Sequence, residues 1–205
     1  MHITRMAIVG IFLLVFGACM NLGTSRSTAT RFYLLESNVE PAMAKGEQGR
    51  RSNLSLGIGP VTIPPYLDRP QLVTRVSGNE LRMDEFRQWA EPLRDTIARV
   101  IEENISAQTG AKHIHSMPKP RSAVIDLQVT LDVQQFDADT AGNVTLKSVW
   151  RIIKPDGHQQ LTERRSTIVQ PSRSNDIADV VDAMSTALAV LSEEMAQALV
   201  DGLAQ

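Results

Sequence analysis

One cysteine, Cys19, stands in 205 residues, so no intramolecular disulfide can hold this chain together. Its fold has to rest on a hydrophobic core, and hydrophobic residues make up 42% of the sequence, enough to build one at this length. A one-sided charge is also missing. Lysine and arginine number 21 against 23 aspartates and glutamates, and no basic stripe runs along any segment, which argues against nucleic acid as a partner. No apolar run is long enough to span a bilayer, since the longest covers residues 7–18 and a spanning helix needs about 20. Internal repeats and heptads are absent.

Signatures of catalysis are absent as well. No G-x-S-x-G, H-E-x-x-H, Walker loop or dinucleotide fingerprint occurs. Ser116-Met117-Pro118-Lys119 has the spacing of a serine–lysine pair, but Pro118 and Pro120 break the helix that chemistry needs, and no K-T-G element follows. His113 and His115 fall on one side of an extended segment without a third ligand, so they read as solvated loop residues. Asp84, Glu85 and Glu91 precede a helix and read as turn and dipole chemistry. The expectation is a protein with no catalytic residues, no metal and no cofactor.

What is present begins at the N-terminus. Arg5, the apolar run 7–18 and the small residues Gly17 and Ala18 directly before Cys19 are the parts of a secretory signal peptide. With the cysteine placed there, the segment resembles a bacterial lipoprotein lipobox, although Phe16 stands where leucine is commoner. That resemblance implies that 1–18 is a signal peptide and that Cys19 becomes the first mature residue, carrying acyl chains, palmitate among them. Met20, which is not the aspartate of inner-membrane retention, resembles the outer-membrane class. Residues 20–30 are small and polar, so residues 19–30 read as a lipidated cysteine and flexible tether. Residues 31–205 fit one domain.

Within that domain, strands are expected over 31–35, 54–58, 72–76 and 80–83, and a charged loop over 37–53. Pro60, Pro64 and Pro65 force an extended, turning segment that cannot be a central strand. A helix over 91–109 follows, with Pro92 at its first turn and Gly110 as its C-cap. Three strands, 123–136, 144–153 and 160–169, are joined by short connections, one marked by Pro155-Asp156-Gly157. A helix over 176–203 closes the chain, with Ile177, Val180, Val181, Met184, Leu188, Leu191, Met195 and Leu199 in one stripe. The expected fold is α+β, two-layer, with a mainly antiparallel sheet covered on one face by two amphipathic helices. Tyr66 and Leu67 are candidates for core or docking, Trp89 for a core plug, and Gln128, Thr130 and Asp132 for contact on the polar sheet face.

One stretch carries a specific likeness. Ile58-Gly59-Pro60-Val61-Thr62-Ile63-Pro64-Pro65-Tyr66-Leu67-Asp68-Arg69-Pro70-Gln71-Leu72-Val73-Thr74-Arg75, followed by Trp89-Ala90-Glu91-Pro92-Leu93, resembles the signature of the PqiC-type ABC transport auxiliary lipoproteins. Arg31-Phe32-Tyr33-Leu34-Leu35 and Asp182-Ala183-Met184-Ser185 are similar to the same family. The resemblance implies a non-catalytic lipoprotein at the outer membrane, facing the periplasm. Its implied partner is the MCE-domain periplasmic protein of an intermembrane lipid transport system. A homo-oligomer is left open. The alternative is an envelope-assembly lipoprotein that binds peptidoglycan or a synthase without any transporter.

Overall fold

The computed structural model describes residues 29–40, 54–118, 124–155 and 159–202. Cys19, the signal segment, the tether before residue 29, residues 41–53 of the charged loop and the Asp156-Gly157 turn lie outside the described residues. Eight strands form one curled sheet: β1 (Arg31–Tyr33), β2 (Ser55–Thr62), β3 (Gln71–Arg75), β4 (Leu81–Trp89), β5 (His113–Ser116), β6 (Leu127–Asp139), β7 (Asn143–Ile153) and β8 (Gln160–Pro171). Two helices, α1 (Leu93–Thr109) and α2 (Ile177–Gly202), pack against the sheet and against each other.

The mixed α+β class is as expected, but the mainly antiparallel sheet is not. β1 with β4, β2 with β5, β2 with β6 and β3 with β6 pair in parallel. Only β3–β4, β6–β7 and β7–β8 are antiparallel. Short connections correctly place β6, β7 and β8 in a meander. The parallel pairs join segments separated by longer excursions, β2 reaching β5 only after β3, β4 and α1, and such connections allow strands to lie parallel.

β6 organises the sheet. β7 lies along one side of it, while β2 and β3 share the other side end to end. β2 pairs with the first half of β6, from Leu127 to Asp132, and β3 with its end at Ala138 and Asp139. Residues 63–70 therefore leave the sheet at the middle of β6 and return to the same edge.

Pro60 corrects a second expectation, because it sits inside β2, between β5 and β6. A register shift between Ile58 and Val61 admits it, since a proline at a bulge costs no ladder bond. Gly59 takes φ 109° there, a conformation L-residues rarely adopt, and its carbonyl accepts the Gln128 side-chain amide at 2.7 Å. β4 runs six residues past its expected end, to Trp89. Asp84 and Glu85 lie within it, where a register shift against β3 lets Asp84 accept the Phe86 N–H at 3.0 Å. The histidines are not in a loop: His113 and His115 belong to β5, an edge strand that pairs with β2.

The helices follow their sequence signals. Pro92 is the N-cap of α1 without a side-chain cap bond, and Gly110 closes it at φ 73°. Asp176 starts α2, its carboxylate accepting the Ala178 N–H. The core joins both helices to the sheet, with Ile97, Ile101, Leu188 and Leu191 facing Leu131, Phe136, Leu146 and Trp150. One buried polar link crosses the helix pair: Asn104 donates to Ser192 at 3.2 Å and accepts from Ser37 at 2.6 Å.

Candidate docking site at the proline-rich loop

Residues 63–70 are held as a compact turn by their own backbone. Leu67 donates to the Pro64 carbonyl at 2.9 Å and Arg69 to the Leu67 carbonyl at 2.9 Å. Pro64 and Pro65 supply fixed backbone angles and no competing N–H donors. Leu67 points inward and is buried in the core. Three further links fix the loop to its surroundings. The Trp89 N–H donates to the Pro70 carbonyl at 2.7 Å. The Arg94 guanidinium on α1 donates to Asp68 at 2.7 Å. Tyr66 reaches the end of β6.

That last link belongs to a buried polar cluster around Asp137. The Tyr66 hydroxyl donates to Asp137 at 2.8 Å. Arg75 grips the same carboxylate with two N–H groups, at 2.9 and 2.8 Å, a bidentate pairing. Gln135 donates to it at 2.9 Å, and the Arg75 guanidinium lies 5.9 Å from the centroid of the Tyr66 ring. The Asp137 side chain is 1% exposed and that of Arg75 25%. A carboxylate this buried is stable only because three side chains hydrogen-bond it and one of them is a cation. Burial, reinforced by the Asp137 carboxylate, pushes the Tyr66 phenol up to about 12.

The sign of the Tyr66 shift gives a first expected outcome. The unfolded phenol releases its proton near 10 and the folded one near 12. The folded state therefore binds more protons between those values. Stability is unaffected below pH 10 and falls as pH rises toward 12. Ultraviolet titration of the folded protein should show a phenolate step near 12 that is missing from Tyr66→Phe; a Tyr66 step near 10 contradicts the cluster.

Arg75, Gln135 and Asp137 were not singled out from the sequence. The signal was there, because Val133 and Phe136 are both apolar and three residues apart, which a strict period of two forbids. A register shift between Val133 and Gln135 resolves this and sets Gln135 and Asp137 on the face away from the helices. Of the remaining candidates, Gln128 is buried and bonded to Gly59, Thr130 is half-buried, and Asp132 is exposed and accepts from Thr62 at 2.7 Å. Thr130 and Asp132 thus remain accessible near the loop, while Leu67 and Gln128 serve the interior. Trp89 is buried, in the place expected of a plug.

Two open pockets flank the loop. One of about 370 Å³ lies between Asp68, Arg69, Trp89 and the start of α1, and one of about 510 Å³ runs along β2 to Ala98 and Met117. Ser116, which lines the second pocket, donates its hydroxyl to Glu102 at 2.6 Å, and burial raises the Glu102 carboxyl above its usual range. Among the described residues no group of three or more His, Cys, Asp or Glu is placed to hold a metal, and no helix is long and apolar enough to cross a membrane.

The fold and the loop define an α+β domain in which two distant segments, 58–75 and 89–93, converge through the Trp89–Pro70 bond, with Arg94 just beyond the second segment bonded to Asp68. The chain belongs to the family of ABC-type transport auxiliary lipoprotein components, whose description matches residues 33–196. This is a family of transport auxiliaries and not of enzymes. The fold is shared with a crystal structure of an uncharacterized protein, at 17% identity and TM-score 0.67, over 82% of this chain and 97% of that one. A Xanthomonas campestris protein described as DUF330 is similar at 20% identity and TM-score 0.65, over 80% of this chain and 92% of its own. A comparison with curated proteins finds no match.

Proposed function

We propose that this protein is a lipid-anchored auxiliary subunit of an MCE/ABC-type intermembrane lipid transport system, docking the periplasmic conduit at the outer membrane. The observation that carries the reading is the family match across residues 33–196, which includes the whole proline-rich loop and its latch. Cys19 carries the acyl anchor, and Met20 directs it to the outer membrane. Several acyl chains at about 0.8 kcal/mol per buried methylene hold firmly where one chain alone is marginal. The domain binds the MCE-domain protein through the face around the loop, where Tyr66, Thr130 and Asp132 are accessible in part and Asp137 keeps the loop in one conformation. Such a subunit acts by position, since anchoring raises its effective concentration at the membrane.

Genetics separates this from envelope assembly without a transporter. Envelope-stress sensitivity of a strain lacking the lipoprotein should equal that of a strain lacking the transporter, and the double deletion should add nothing. Additive defects favour the peptidoglycan or synthase alternative.

A further inference from the structure

Two large aromatic side chains stand in water at the sheet edge nearest the N-terminus. Phe32 on β1 is 64% exposed and Phe86 on β4 is 49% exposed. β1 pairs with β4 so that Phe32 is opposite Gln88, and Phe86 lies two residues along the strand from that glutamine. The neighbours Tyr33 and Trp89, opposite each other in the same ladder, turn the other way and pack against the core. Phe32 and Phe86 therefore stand clear of the core at one edge, while the exposed Arg31 and Arg87 are opposite each other at the adjacent rung of the ladder, Arg87 paired with Asp84 at 3.1 Å. Burying two phenylalanines is among the larger driving forces available to a surface, and here nothing among the described residues covers them.

The position of this edge says what meets it. Eleven residues, 20–30, separate Cys19 from Arg31. A chain of that length spans at most about 40 Å. The domain itself is roughly 40 Å across by the usual size scaling. β1 is thus the part of the domain held within reach of the bilayer, and β8 is the strand at the opposite edge.

We propose that the β1–β4 edge is a lipid-contacting surface, with Phe32 and Phe86 entering the bilayer interface and Arg31 on the edge strand reaching the headgroups. The partner is a phospholipid surface, which accepts aromatic rings at its boundary and cations at its headgroup level. The edge acts as a second membrane signal beside the acyl chains. It fixes the orientation of the domain, so that the β8 edge faces away from the membrane by geometry instead of by chance. This inference rests on the anchor reading of Cys19.

The test uses the full-length acylated protein reconstituted in phosphatidylethanolamine–phosphatidylglycerol vesicles that contain lipid brominated near the top of its acyl chains. Phe32→Trp and Phe86→Trp each add one reporter to the buried Trp89 and Trp150, and Val169→Trp on β8 is the control. The first two reporters should shift to shorter wavelength and be quenched at least twofold more than the control. Mass spectrometry of the same samples reports the acyl group. Acylated protein whose reporters at 32 and 86 are quenched no more than the one at 169 overturns the inference and leaves the anchor standing. An unmodified Cys19 overturns both.

Discussion

Asp137→Ala should loosen the proline-rich loop and cost about 3 kcal/mol of stability. Removing the carboxylate strands the Arg75 guanidinium, the Tyr66 hydroxyl and the Gln135 amide together. Breaking a buried pair by deleting one partner typically costs about 3–5 kcal/mol. The low end applies because Arg75 is one-quarter exposed and can recover part of its hydration. For a domain of this size that corresponds to a melting temperature lower by roughly 6–12 °C. Arg75→Met should cost at least as much, because it leaves the 1%-exposed carboxylate without its cation. Thermal denaturation checks both; a melting temperature within about 1 °C of the parent for either variant contradicts the latch.

Leu188→Asp should not fold at all. Leu188 is fully buried on α2, among the side chains that join both helices to the sheet. The substitution forfeits about 1.5–3 kcal/mol of apolar burial and sets an unpaired carboxylate in its place. Against a total stability of about 5–15 kcal/mol, the sum removes most of the margin. Circular dichroism should show loss of the cooperative melt for Leu188→Asp and a fully retained melt for Val190→Asp, at an exposed position on the same helix. A cooperative Leu188→Asp melt near the parent temperature contradicts the assigned core.

These two positions differ in how visible they are in the sequence, and the difference is physical. Leu188 belongs to a stripe with helical period, and such a stripe buries itself whatever the sheet does, so α1 and α2 were legible to within two residues. The meander β6–β7–β8 was legible because short connections leave few topologies. The parallel pairings of β1, β2, β3 and β5 were not, because they join segments far apart in the chain and no local pattern encodes them. Asp137 was hidden by a single irregularity. One extra residue between Val133 and Gln135 changes which side chains share a face. Pro60 was misjudged for the same reason, since a bulge cancels the rule that excludes proline from a central strand. Tyr66 was noticed, but its partners come from β3 and β6, which only the tertiary fold brings together.

The anchored domain and an MCE-domain protein should form one assembly through the face that carries the loop held by Asp137. The direct measurement is co-purification of the full-length acylated protein from detergent-solubilised membranes, with Asp137→Ala and the doubly substituted Thr130→Arg, Asp132→Arg protein run beside it. The MCE-domain protein should be recovered with the parent in fixed ratio and lost from both variants, while folded protein remains in each. No MCE-domain protein with the parent, or equal recovery with all three, would contradict the claim.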